Sequence, residues 1–219
     1  MIAQQRLNAA VEVLEHEFEP GKWPLSRFLS QWFKKNRQMG STDRRTMSSL
    51  LYAYFRCIHL LKGLDKKNHF LAARFLLSSE DNQILPALKP EWIPHLEEPF
   101  DKKMMMLKDW FPEMSMGTIF PFHSHVSKHI NFSDYENAYL NQPLLFIRVR
   151  TGFENSIIST LEQKKINFNK VTQHCLSFEN QTNIDFLEVE FPGSYEVQDY
   201  CSQLSGTLFH PAPFSSLRT

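Results

Sequence analysis

Apolar positions along the first hundred residues recur at three- and four-residue spacing, the period of helices with one buried face. Leu7, Val11, Leu14 and Phe18 predict a first helix, broken by Pro20-Gly21. Pro24 suits a first helical turn, and Leu25, Phe28, Leu29, Trp32 and Phe33 supply the apolar face of a second helix. Gly40-Ser41-Thr42 offers a stop and a fresh N-cap. Met47, Leu50, Leu51, Tyr54, Phe55, Ile58 and Leu61 then form a wide stripe predicting a buried third helix. On another side of that helix Arg45, Ser49, Tyr52, Arg56 and His59 repeat at four, three, four and three. A fourth helix is expected from Asn68 to Leu77, and a last one from Asp101 to Phe111. Between them Pro86, Pro90, Pro94 and Pro99 surround Trp92, too many prolines for a long element. Residues 1–112 read as an all-α domain and 113–142 as a connecting segment.

The pattern changes at Pro143. Leu144 to Arg150 is a β run, and Phe153, Ile157, Ile158 and Leu161 then step as a helix ending at Lys164-Lys165. Phe168–Val171, Cys175–Phe178, Phe186–Val189 and Tyr195–Val197 are short β candidates. Asp199 sits at a helix N-cap, its carboxylate able to accept from the amides of Cys201 and Ser202. Cys201, Leu204, Ser205 and Leu208 give that helix an apolar stripe, ended by Pro211 and Pro213. Strand, helix and then several strands describe a small α+β module over 143–219, most simply a ferredoxin-like or RNA-recognition-like sandwich. The fold class expected for the whole chain is α+β.

Composition narrows the function classes. The 219 residues are 42% hydrophobic and 22% charged, as in an ordinary soluble protein. Glycine is scarce at 7 against 19 phenylalanines, which leans away from a glycine-rich nucleotide-binding fold. No apolar run approaches the ~18 residues of a membrane span. Met-Ile-Ala-Gln-Gln-Arg lacks the layout of a signal peptide. Cys57, Cys175 and Cys201 are widely spaced and odd in number, which suits free thiols and a cytoplasmic address. His123, Ser124, His125 and His129 invite a metal reading, but no cysteine or close acid completes a zinc set, so they read as loop histidines.

Net charge is zero, yet its distribution is uneven. From Lys22 to Arg74 there are twelve basic residues against two acids, Asp43 and Asp65. A block of one sign in a neutral protein suggests a polyanion-facing surface. Arg45 and Arg56 with Tyr52 between them suit phosphates and a stacked base; the alternative, favoured because surface ion pairs are common on bundles, has the arginines paired with carboxylates of a neighbouring helix and Tyr52 capping the core edge. Lys34, Lys35 and Arg37 suit the negative end of the second helix as well as a ligand. Arg148 and Arg150 share one strand face. They suit an RNA backbone or its bases, or pairing with Glu188 or Glu190 on an adjacent strand.

Three stretches together resemble a known family. Gly40-Ser41-Thr42-Asp43-Arg44-Arg45, with Leu51-Tyr52 and Arg56 downstream, resembles a pattern of NusB-like helical domains. Pro143 to Thr151 resembles the Pro-x-x-Leu-Arg-Val-Asn-Thr strand of the Sun (Fmu, RsmB) family of RNA cytosine-5 methyltransferases, with Arg150 in place of the usual asparagine. Val197 to Leu204 resembles that family's Val-Gln-Asp-x-Ser-Ser-Gln run, with Cys201 in place of a serine.

The resemblance implies an RNA-engaging N-terminal part of such an enzyme, positioning ribosomal RNA for methylation by a C-terminal domain. Lys34, Lys35, Arg37, Arg44, Arg45, Tyr52, Arg56, Arg148 and Arg150 are the candidate RNA contacts, and Gln198 and Asp199 the candidate edge of the catalytic pocket. S-adenosylmethionine is expected for the full-length parent only. This chain has no Gly-x-Gly loop for that cofactor and no cysteine beside a proline, so alone it is expected to be inactive. The alternatives are a stand-alone NusB-like adaptor in antitermination or ribosome assembly, and a protein-interaction bundle with an ordinary basic surface.

Overall fold

A computed structural model describes residues 2–81, 83–180 and 182–208. It is a mixture of helices and small antiparallel sheets, in two compact units that divide between Asn141 and Gln142. Among the described residues no helix is long and apolar enough to cross a membrane.

In the first unit α1 spans Ile2–Glu12 and runs on into a π-helical turn, Val13–Glu17. Ala3, Leu7, Ala10 and Val13 are buried. Gly21, at a φ of 89°, makes the turn toward α2, Leu25–Lys35. Helix α3, Ser41–Cys57, buries Met47, Leu50, Leu51, Ala53, Tyr54 and Cys57, close to the expected stripe. It passes through β1, Leu61–Lys62, to α4, Lys66–Leu77, whose N-cap Asp65 accepts from the Asn68 amide at 3.1 Å. Helix α4 is apolar almost all round (Phe70, Leu71, Ala72, Ala73, Phe75 and Leu76 are buried), because it packs between α3 and the later helices.

The proline-rich stretch forms α5, Leu85–Leu88, and a 3-10 turn, Pro90–His95, before α6, Phe100–Trp110. Trp92 and Trp110 stack with centroids 4.9 Å apart, and Phe75 packs against both. Lys103 of α6 is buried, yet its ammonium donates to the Ser78 carbonyl at 2.8 Å, just past the end of α4. A cation there meets the negative end of the helix dipole.

Residues 113–142 carry structure of their own. Strand β2, Ser115–Met116, pairs antiparallel with β1, and α7, Phe132–Leu140, packs on α3. Gly117 follows β2, and its amide donates to the Leu60 carbonyl at 2.8 Å. A Cβ at residue 117 would lie 1.8 Å from the His59 carbonyl oxygen, so only glycine lets the backbone pass there.

In the second unit β3, Leu145–Val149, is followed by α8, Glu154–Gln163, β4, Asn169–Lys170, and β5, Cys175–Phe178. Then come α9, Phe186–Glu190, β6, Tyr195–Val197, and α10, Tyr200–Thr207. The strands lie in the order β4-β5-β3-β6, and every neighbouring pair is antiparallel. Ile147 and Val149 of β3 bury against Ile157 and Leu161 of α8 and Leu187 of α9. Phe186–Val189, expected as a strand, is therefore helical. Pairing would have alternated its faces, whereas here only Leu187 is buried and Val189 is exposed. Pro211 and Pro213, expected to end the last helix, lie outside the described residues.

His69 is buried beside the Tyr54 ring, and its Nε2 has no hydrogen-bond partner. Burial depresses this imidazole from 6.5 to about 4, so the folded chain holds it neutral where the unfolded chain is protonated. Between those two values the unfolded state binds more protons, and stability falls with falling pH, by at most about 3 kcal/mol. Urea titrations from pH 7 down to about pH 4 should show that loss in wild type and a smaller one in His69→Phe. Equal losses would place the acid sensitivity elsewhere.

Candidate nucleic-acid interface

The basic stretch is not neutralised by its own acids. Asp43 is taken by Arg6 of α1, whose Nη2 lies 2.6 Å from Oδ1, and Asp65 is spent on capping α4. Of the twelve cations between Lys22 and Arg74, three have a carboxylate within ion-pair distance: Lys22 with Glu19, Lys66 with Glu15 and Arg74 with Asp81. The other nine have none among the described residues.

These nine divide by what they touch. The Arg44 Nε donates to the Met39 carbonyl at 2.9 Å, closing the turn before α3. The Arg37 Nε donates to the Lys34 carbonyl at 3.3 Å, at the end of α2. The Arg27 guanidinium lies 3.9 Å from the Trp23 ring centroid. Lys34 and Lys35 are exposed at the same helix end.

Arg45, Tyr52 and Arg56 face outward from α3, opposite its buried stripe. Arg45 is exposed and Tyr52 is 39% exposed. Arg56 is half-buried, and desolvation lowers the pKa of its guanidinium, with the Tyr139 hydroxyl of α7 within electrostatic reach. Ser49 of the same stripe accepts from Arg74 at 2.6 Å. Arg45 and Arg56 stand eleven helix steps apart, about 16 Å along the axis of α3.

Arg148 and Arg150 have a different setting. Both pair with one carboxylate, Glu196 of β6, at 2.8 and 2.9 Å. The expected acids, Glu188 and Glu190, sit on or at the end of α9 instead, where Glu190 pairs with Lys164. The two guanidiniums depress the Glu196 carboxyl, keeping it ionised. His174, 2.9 Å from Glu154, lies in the same shallow cleft.

The sheet face carrying Phe146 and Arg148 is partly covered. Tyr200 of α10 stacks on Phe146 at 5.9 Å, and Gln203 of α10, whose Nε2 donates to the Gln198 carbonyl at 2.8 Å, lies within electrostatic reach of the Cys175 thiol. Helix α10 thus turns Tyr200 and Gln203 to the sheet and leaves Cys201, Leu204, Ser205 and Leu208 on its exposed side, the reverse of the expected stripe. Asp199 caps it, accepting from the Cys201 amide at 3.0 Å. Gln198 continues the β6 pairing, its amide donating to the Phe146 carbonyl at 3.1 Å.

A nucleophilic cysteine must be a thiolate. Burial pushes the Cys57 thiol up to about 12 and raises that of Cys175, so both are held neutral. Among the described residues no group of three or more His, Cys, Asp or Glu converges to hold a metal. Three comparisons with known proteins find no match: no family model, no curated protein and no solved structure.

The cover over the sheet is testable by thiol chemistry. A soluble disulfide reagent added to the folded protein should label one cysteine quickly, Cys201, which is exposed. In Tyr200→Ala, peptide mapping should show a second, Cys175, labelled at least about tenfold faster than in wild type. An unchanged rate would mean that α10 does not protect that face.

Proposed function

We propose that this chain binds structured RNA, chiefly through the outward stripe of α3, as the RNA-positioning front part of an RNA cytosine-5 methyltransferase. One observation carries the binding reading: Arg45 and Arg56 share an outward face with Tyr52, and neither has a carboxylate partner among the described residues. An ion pair formed for stability would have brought an acid to at least one of them, and the two acids of the stretch are engaged elsewhere. Lys34 and Lys35 add charge to the same unit.

The enzyme context rests on the three sequence stretches together with the second unit's layout. Helices and strands there follow as β-α-β-β-α-β, with the first strand lying between the third and the fourth. That order supports a ferredoxin-like module, and the helical first unit is compatible with a NusB-like bundle. In this reading the methyl donor, S-adenosylmethionine, belongs to a further domain. Arg148, Arg150, Gln198 and Asp199 then serve architecture first: the arginines tie β3 to β6 and the Gln198-Asp199 pair starts α10.

Fluorescence anisotropy with ribosomal RNA fragments tests the binding. Wild type should bind and weaken steeply with salt, since neutralised phosphates release counterions. The double variant Arg45→Glu/Arg56→Glu should lose at least about tenfold in affinity and show a shallower salt slope. Arg148→Glu should change affinity by less than about threefold. Full affinity in the folded double variant would overturn the assignment to α3.

A further inference from the structure

The outward stripe of α3 leads to His59, and beyond His59 lies a run of aromatic rings. Gly117 presses on the His59 carbonyl, which pins the chain after it beside the end of α3. Phe122 meets the His59 ring at 6.3 Å and 80°, Phe120 at 5.5 Å and 73°, and His125 at 6.2 Å and 81°. Phe120 in turn packs on Tyr135 and Tyr139 of α7 at 5.0 and 5.5 Å. An aromatic cluster that only fastens a loop would bury its rings. Phe122 is fastened by three neighbours and is still 52% exposed.

The sequence around this ring is poor in acids. No acid occurs between Glu113 and Asp134, while His123, His125, Lys128 and His129 do. Glu136 of α7 accepts from the Phe120 amide at 3.5 Å. Arg56, half-buried and without a carboxylate partner among the described residues, lies within electrostatic reach of Tyr139 in the same cluster.

From this juxtaposition we infer that α3 and the Phe120–Tyr139 segment form a base-stacking site for single-stranded RNA. Arg45 and Arg56 hold backbone phosphates, and Phe122 receives an unpaired base. The inference rests on the RNA-binding reading above and sharpens it. A duplex keeps its bases stacked on one another and has no free face to offer the ring, whereas an unpaired loop does. Because three rings already orient Phe122, little freedom is lost when a base settles on it.

The test uses a ten-nucleotide unpaired RNA and the same strand annealed to its complement, titrated against the full chain at one salt concentration. The single strand should bind at least about tenfold tighter than the duplex. Phe122→Leu should lose about tenfold for the single strand and nothing for the duplex, while Phe122→Tyr should bind like wild type. Circular dichroism confirms that both variants fold, as expected for so exposed a side chain. Equal affinity for the two RNAs, or a Phe122→Leu protein that binds the single strand like wild type, overturns the stacking site and leaves the RNA-binding reading standing. No affinity for either RNA overturns both.

Discussion

Burial of one face of α3 decides what the protein can offer a partner. Met47, Leu50, Leu51, Tyr54 and Cys57 are packed against α1 and α4, which fixes the helix's rotation and sends Arg45, Tyr52 and Arg56 outward. The acids that would have neutralised those arginines are committed by the same packing. Asp43 is held by Arg6 across the α1–α3 contact, and Asp81 is held by Arg74 of α4. Free guanidiniums near water cost a fold little. Without a carboxylate partner among the described residues, they keep their charge.

The second unit resolves the same kind of residue the other way. Arg148 lies on β3 and Arg150 just past its end, but strand pairing sets Glu196 directly opposite Arg148, and its two oxygens serve both arginines. Helix α10 then lays Tyr200 over Phe146, the ring that an open RNA-binding sheet would present to a base. A basic pair and an aromatic on one strand face are thus consumed by architecture. The contrast between β3 and α3 is one of neighbours, since the side chains are alike.

Much of this was legible in the chain. The periodicity around Leu50 and Leu51 located α3, and Asp199 was recognisable as a cap because a carboxylate at that position meets free amides. Phe186–Val189 misled because four or five apolar-rich residues fit a strand and a helical turn equally well. Helix α7 had a readable signal in Phe132, Tyr135 and Tyr139, spaced three and four, masked by the histidines just before it. The partner of Arg148 could not be read at all, because choosing Glu196 over Glu188 or Glu190 requires knowing which strand pairs with β3. Arg44 and Arg45 look interchangeable in sequence, yet one helix step of about 100° turns the first back onto the Met39 carbonyl and the second into solvent.

The central claim, that RNA lies along the outer side of α3, is tested most directly by ultraviolet crosslinking of the intact chain to a ribosomal RNA fragment, followed by peptide mapping. The account predicts crosslinked nucleotides on peptides containing Tyr52 and Phe122, and none on the β3 peptide containing Phe146. Crosslinks confined to Phe146 and its neighbours, or found on neither surface while RNA is bound, would contradict it.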